Sequence, residues 1–163
     1  MLRACKKTMI IAIFTLTNDK IFAAIEEAHK RGVQVRVIAD DECCKMMGSD
    51  VIRCAALGIP TKTDSDVKAH MHHKFCVLDN SVLITGSFNW TVQAVKQNQE
   101  NILFYENRDL CSIYTAEYDR LWNEFTTVIT QESASKKLNE EAEKKRIAAE
   151  KKAEEKEKKK TGK

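Results

Sequence analysis

Residues 8–39 carry a short apolar run, a helix-period segment and a second apolar run, and that order leaves few folds open. Residues 8–15 (TMIIAIFT) are nearly continuous in apolar side chains, as in a strand covered on both faces. Thr17, Asn18 and Asp19 supply a cap for a helix over 20–30, whose Ile21, Ala24, Ile25 and Ala28 share one side. Gly32 ends that helix, and residues 33–39 (VQVRVIA) form the next strand. Strand, crossover helix and strand in this order predict a parallel pair, joined right-handedly, in an α/β domain whose mixed, mainly parallel sheet has helices on both faces.

Further along, Ser49 and Asp50 start a helix that Gly58 and Pro60 stop, and a short strand follows near Lys62. Residues 91–96 suit a short helix and 101–105 a strand. Asp109 opens a last helix to about residue 127, with Leu110, Ile113, Tyr114, Tyr118, Leu121, Trp122 and Phe125 as its core-facing stripe. Residues 136–160 are a Lys/Glu/Ala run in which Leu138, Ala142 and Ile147 are too sparse for a coiled coil. The expected division is a catalytic domain over 1–130 and a charged tail over 131–163, helical or disordered and able to touch phosphates or a membrane surface.

Charge is unevenly spread. Residues 131–163 hold 12 Lys and Arg against 8 Asp and Glu, whereas residues 1–130 hold 15 against 16. The folded part is therefore nearly neutral, and attraction to anionic partners must come from a local patch or the tail. The six cysteines form no CxxC pair and have no His-x3–5-His beside them, so neither a zinc site nor a disulfide framework is predicted; they read as reduced thiols in an intracellular compartment. No stretch of about eighteen apolar residues exists, so no membrane-spanning helix is expected.

The chemistry concentrates in residues 71–90, MHHKFCVLDNSVLITGSFNW. Phe75 to Leu78 and Ser81 to Thr85 read as two strands of a hairpin turning at Asp79 and Asn80. Alternation puts His72 and Lys74 on one face, and the turn returns Ser87 and Asn89 to the same end. An imidazole, an ammonium, a hydroxyl and an amide then converge, which suits a phosphate diester: a nucleophile plus donors for its oxygens. His72 is the candidate nucleophile, since an imidazole with a pKa of about 6.5 is substantially neutral at physiological pH. Lys74, Ser87 and Asn89 are the candidate phosphate-binding residues, helped by the amides of the helix that follows Asn89. Glu100 is placed to accept from one ring nitrogen of His72, leaving the other free to attack. Asp79 closes the hairpin through backbone amides, with no proton-transfer role.

His72-x-Lys74-x4-Asp79 followed by Gly86-Ser87-x-Asn89 resembles the HxKxxxxD and GSxN motifs of the phospholipase D superfamily, in its branch with one such motif per chain. The resemblance runs from about residue 6 to 125. It implies the phospholipase D-like fold, His72, Lys74, Asp79 and Glu100 as catalytic residues, Ser87 and Asn89 on phosphate, a phosphohistidine intermediate, and neither metal nor other cofactor. It also implies a homodimer with the active site across the two-fold axis, where the two His72 residues alternate as nucleophile and acid. The implied substrate is cardiolipin, hydrolysed to phosphatidic acid at the mitochondrial outer membrane. The alternative is single-stranded nucleic acid, cut by a metal-independent endonuclease that processes small-RNA precursors. The membrane anchor and zinc-binding insertion of such proteins precede the first strand and are not in this sequence, so a truncated N-terminus is expected.

Plainer readings stand beside these. His73 alternates to the far face, His29 sits on a helix surface, and His70 is a loop residue at the margin of the site. Trp90 beside a tight turn reads as packing. Cys76 as a thiol nucleophile lacks a recognisable oxyanion hole. A non-enzymatic scaffold built on the charged tail is the reading of another class, and it would not need His72, Lys74, Ser87, Asn89 and Glu100 together.

Overall fold

A computed structural model describes residues 1–65 and 68–161, without the side chains of 154–161. The last two residues of the expected tail thus lie outside the described residues. The first apolar run forms strand β1 (Thr8–Ile13) and then breaks, giving a two-residue strand β2 (Leu16–Thr17). Asn18 caps helix α1 (Asp19–Lys30), its side chain accepting from the amides of Lys20 and Ile21 at 3.0 and 3.3 Å. Strand β3 (Gln34–Ala39) lies parallel to β1, so the crossover expected from the sequence is present.

Helices α2 (Asp41–Lys45) and α3 (Asp50–Ala56) lead to strand β4 (Thr61–Thr63), parallel to β3. Strands β5 (Lys74–Leu78) and β6 (Val82–Gly86) make the hairpin. Strand β7 (Trp90–Thr91), helix α4 (Val92–Lys96), strand β8 (Ile102–Glu106), helix α5 (Arg108–Glu124), strand β9 (Thr127–Val128) and helix α6 (Gln131–Thr161) complete the chain. The seven-stranded sheet runs β8-β6-β5-β1-β3-β4-β9, and β2 pairs separately with β7. The parallel pairs occupy its centre, β1 with β3 and β3 with β4, and the antiparallel pairs lie outside them.

Two cores separate along the strand alternation. Met9, Ile11, Ile13, Val35, Val37 and Cys76 face the side covered by α1, α3 and the start of α6. Ile10, Ala12, Ile38, Phe75, Val77 and Leu83 face Cys111, Tyr118 and Leu121 of α5. Two expectations for α5 are corrected. It ends at Glu124, because the β-branched residues beyond it pair with β4 (Lys62↔Val128) instead of continuing the helix. Ile113 is 65% exposed, and Cys111 takes its place in the core. Helix α6 docks by its first turns alone: Ala134 is buried and Leu138 packs on the core, while Ala142 and Ile147 face solvent. All six cysteines are free and buried.

The hairpin turn is fixed by Asp79 and Asn80, both in the left-handed region at φ +52° and +49°. Asp79 then holds the start of β1: its carboxylate accepts from the amides of Lys6 (2.9 Å), Lys7 (2.7 Å) and Thr8 (3.0 Å). Burial alone would raise its pKa, but the donors from Thr8, Lys6, Lys7 and Cys5 together hold it below the ordinary carboxylate value. Asp79→Asn, which removes the charge, is expected to cost about 2 kcal/mol and to lower Tm by about 4–8 °C. Because the folded-state pKa is depressed, this stability is present above the unfolded value of about 3.9 and fades as pH falls through the folded one. Thermal melts of both proteins from pH 7 to pH 3 should therefore converge at the acid end; a gap that stays constant across the range would rule out a charge-based role.

Candidate active site

His72 and Lys74 enter the site from the start of β5. The partner strand there is β1, whose register ends at Ile13↔Lys74 and continues as the Phe14 amide donates to the His73 carbonyl at 2.9 Å. Phe14 is thereby set among the site's side chains. Its ring lies 4.5 Å from that of His72 and 5.7 Å from that of His70, with Lys74 Nζ 4.9 Å from its centroid. Lys74 Nζ is 3.2 Å from His72 Nδ1 and 3.3 Å from Nε2, and it donates to the His72 carbonyl at 2.8 Å. His72 is exposed and Lys74 half-buried. Desolvation, then Lys74 and His70, depress the His72 pKa. Desolvation likewise lowers Lys74, with Glu100 acting in the opposite sense. The arrangement places a solvent-accessible imidazole beside an ammonium, which disfavours a proton on the ring.

Ser87 and Glu100 stand together at the other side of the hairpin's end. Ser87 Oγ donates to Glu100 Oε2 at 2.5 Å and accepts from the Asn101 amide at 3.0 Å, while Glu100 Oε1 accepts from Asn98 at 3.0 Å. Those bonds, from Ser87 first and then Asn98, hold the Glu100 carboxyl below its usual range, helped by Lys74. This differs from the expectation in two respects. Glu100 bonds Ser87 rather than a ring nitrogen of His72, because β8 pairs with β6 and brings Glu100 over Ser87. The Ser87 hydroxyl proton is accordingly engaged by a carboxylate instead of pointing free. Asn89 Oδ1 is buried without a partner among the described residues, a state native folds rarely leave without a use.

Asp79 is not among these groups. It lies beyond the far end of β5, about 16 Å along the strand from Lys74, and the structure brings it to the backbone of residues 6–8. The short helix expected after Asn89 is present as α4, but the Thr91 hydroxyl takes the Ala94 amide at 3.0 Å, so that amide is engaged by the cap instead of facing a phosphate. Cys76 is fully buried in the core with its thiol pKa raised well above normal by desolvation, which removes it as a nucleophile. Trp90 is buried, as a packing residue would be, and His73 turns to α5, with its Nε2 3.6 Å from a Glu117 oxygen.

Sequence reasoning missed Phe14, Asp40 and the attachment of His70. The His70 Nδ1 lies 2.8 Å from Oδ2 of Asp40, a carboxylate with no solvent exposure at the carboxyl end of β3. The available signal was topological: in open α/β sheets, functional groups gather beyond the carboxyl ends of the parallel strands, where both Phe14 and Asp40 lie. A cleft of about 470 Å³ opens beside the three histidines, lined also by Glu117, Arg120 and Phe125.

Residues 1–122 match the family described as "Cardiolipin synthase, PLD-like domain". The chain belongs to the phospholipase D-like family. It is 40% identical over 124 residues to a mitochondrial cardiolipin hydrolase of Chlamydomonas reinhardtii, covering 76% of this chain and 55% of that one. The human mitochondrial cardiolipin hydrolase is 36% identical over 124 residues, 76% of this chain and 49% of its own. The chain thus spans about half the length of these relatives. Among solved structures it is similar to Nuc from Salmonella typhimurium, a phospholipase D family member, with a TM-score of 0.72 and 28% identity over 77% of this chain and 84% of that one. In this phospholipase D-like chain, no helix among the described residues is long and apolar enough to cross a membrane.

Proposed function

We propose that this chain is a phosphodiester hydrolase that works through a phosphohistidine on His72. The observation that carries the reading is the exposed His72 imidazole in contact with Lys74 Nζ, at the end of the hairpin that also presents Ser87, Asn89 and Glu100. Neutral His72 attacks phosphorus, forming the N–P bond as the P–O bond to the leaving alcohol breaks. Lys74 offsets charge on the non-bridging oxygens, which it reaches because it already lies against the attacking ring. Ser87 and Glu100 fix the loop that carries Asn89, whose side-chain NH2 would donate to a phosphate oxygen.

The leaving oxygen needs a proton, and a second copy of the chain supplies it: the partner subunit's His72 donates as imidazolium, then takes a proton from water as the P–N bond breaks. The exposed β8 side chains Ile102, Leu103, Phe104 and Tyr105, 39–54% accessible next to Glu100, offer an apolar surface that such a dimer would cover. A monomeric active species by light scattering would overturn the dimer.

The substrate proposed is cardiolipin, cleaved to phosphatidic acid, a reading supported by the relatives' names. Turnover of cardiolipin vesicles and of labelled single-stranded RNA, in excess EDTA and with His72→Ala as control, tests it. Phosphatidic acid release that needs His72 is the expected result. RNA cleavage alone would replace the lipid reading by the endonuclease one.

A further inference from the structure

Two buried aspartates tie the segment that delivers His72 to the start of α2. Asp40 Oδ1 accepts from the Cys43 amide at 2.9 Å while Oδ2 meets His70 Nδ1 at 2.8 Å. Asp64 repeats the pattern, accepting from the Asp41 amide with one oxygen and from the Met71 amide with the other, both at 2.8 Å. The carboxylates of Asp40, Asp41 and Asp64 each place an oxygen within 4.8 Å of the others. Such a set of carboxylates, two of them buried, calls for a nearby cation. His70 supplies it to Asp40, as Lys45 does to Asp41.

We propose, resting on the hydrolase reading above, that His70 is a positioning residue: anchored by Asp40, it sets a positive charge near His72 that disfavours a second one on the nucleophile, and it seats that ring against Phe14. The geometry leaves little choice of posture. With Nδ1 engaged by Asp40, the His70 ring meets Phe14 edge-on at 76°, and the same Phe14 ring receives His72. Around His70 the charged groups are Asp40, Glu42 and Asp64, all of which favour its protonated form. Around His72 they are Lys74 at the start of β5, His70 and His73 on its own segment, and Asp40 at the start of α2; all but Asp40 favour the neutral ring. Asp40 alone would draw a proton onto His72, and His70 intercepts that effect. The pair thus offsets a buried carboxylate that by itself would favour a proton on the nucleophile.

The test is an NMR titration of the histidine rings in the full chain, which reads His72 whether or not a substrate is turned over. In His70→Gln the His72 midpoint should rise by about half a unit to one unit. In His70→Lys, which restores a cation against Asp40 without an imidazole, it should stay close to the wild-type value. In Asp40→Asn, which keeps a side-chain oxygen for the Cys43 amide, the His70 midpoint should fall. The acid limb of kcat/KM should move with the His72 midpoint in each variant. An unmoved His72 in His70→Gln, an equal rise in His70→Gln and His70→Lys, or an unmoved His70 in Asp40→Asn would each overturn the proposal. A moved midpoint with no turnover of any phosphodiester would leave it standing and remove the hydrolase reading instead.

Discussion

His72→Ala should abolish turnover while leaving the fold intact. The His72 ring is exposed, and its neighbours are the flexible Lys74 chain and the edge of the Phe14 cluster, so its loss opens no core cavity. Stability should stay within about 0.5 kcal/mol, the range of surface substitutions. The rate should fall by about 10⁴-fold or more, as when a covalent nucleophile is deleted. Lys74→Met should be milder, about 10²–10³-fold, because it removes charge stabilisation and keeps the nucleophile. Single-turnover kinetics with a labelled phosphodiester, together with a search for acid-labile phosphoprotein after rapid mixing, separates the two. Accumulated phosphohistidine in the wild type and none in His72→Ala is the expected pattern. Residual His72→Ala turnover within about tenfold of wild type would exclude His72 as nucleophile.

Gly86→Ala should be the most damaging single methyl in the hairpin. Gly86 sits at φ +150°, outside the range of ordinary side chains, and pairs with Ile102 across β6 and β8. A Cβ there would lie 2.2 Å from the Asn101 carbonyl oxygen, 2.9 Å from its carbon and 3.0 Å from the Ile102 Cα. All three are backbone atoms, so no rotamer change relieves the clash and β8 must move. The same displacement breaks the Ser87 amide's bonds to the Asn101 carbonyl (3.1 Å) and side-chain oxygen (3.2 Å), and separates Ser87 from Glu100. Stability should drop by about 3 kcal/mol or more, seen as a Tm lower by about 6–12 °C. Activity should fall further than the unfolded fraction explains, since the Ser87–Asn89 loop is displaced in the folded molecules too. A Tm within about 2 °C of wild type would show that β8 yields easily at this point.

What was legible in the sequence was local. The parallel β1–β3 pair follows from two apolar runs flanking an Asn-capped amphipathic helix, and the β5–β6 hairpin from Asp79-Asn80 between β-rich runs. The side-by-side placement of His72 and Lys74 needs only strand alternation. What stayed hidden was held by contacts distant in sequence. Helix α2 is a five-residue element whose cap and partners, Asp40 and Asp64, act across the fold. Strands β2 and β7 exist only because Leu16–Thr17 meets Trp90–Thr91. Glu100 was read toward His72 because both lie near the hairpin's end, but the β6–β8 register delivers it to Ser87. His70 read as a loop residue since Asp40, thirty positions away, carries no local mark of being its partner.

The burial of all six thiols gives the molecule a built-in clock. Cys5 precedes β1, Cys43 and Cys44 lie in α2, Cys54 in α3, Cys76 in β5 and Cys111 in α5, so almost every layer of the fold carries one. Desolvation pushes the Cys5 thiol up to about 11 and Cys44 up to about 12, and raises Cys54 and Cys76 as well, leaving few thiolates in the closed state. Alkylation must then wait for a segment to open, and the order in which the six are modified ranks the opening free energies of the elements that hold them. The protein can report its own local unfolding without any engineered probe.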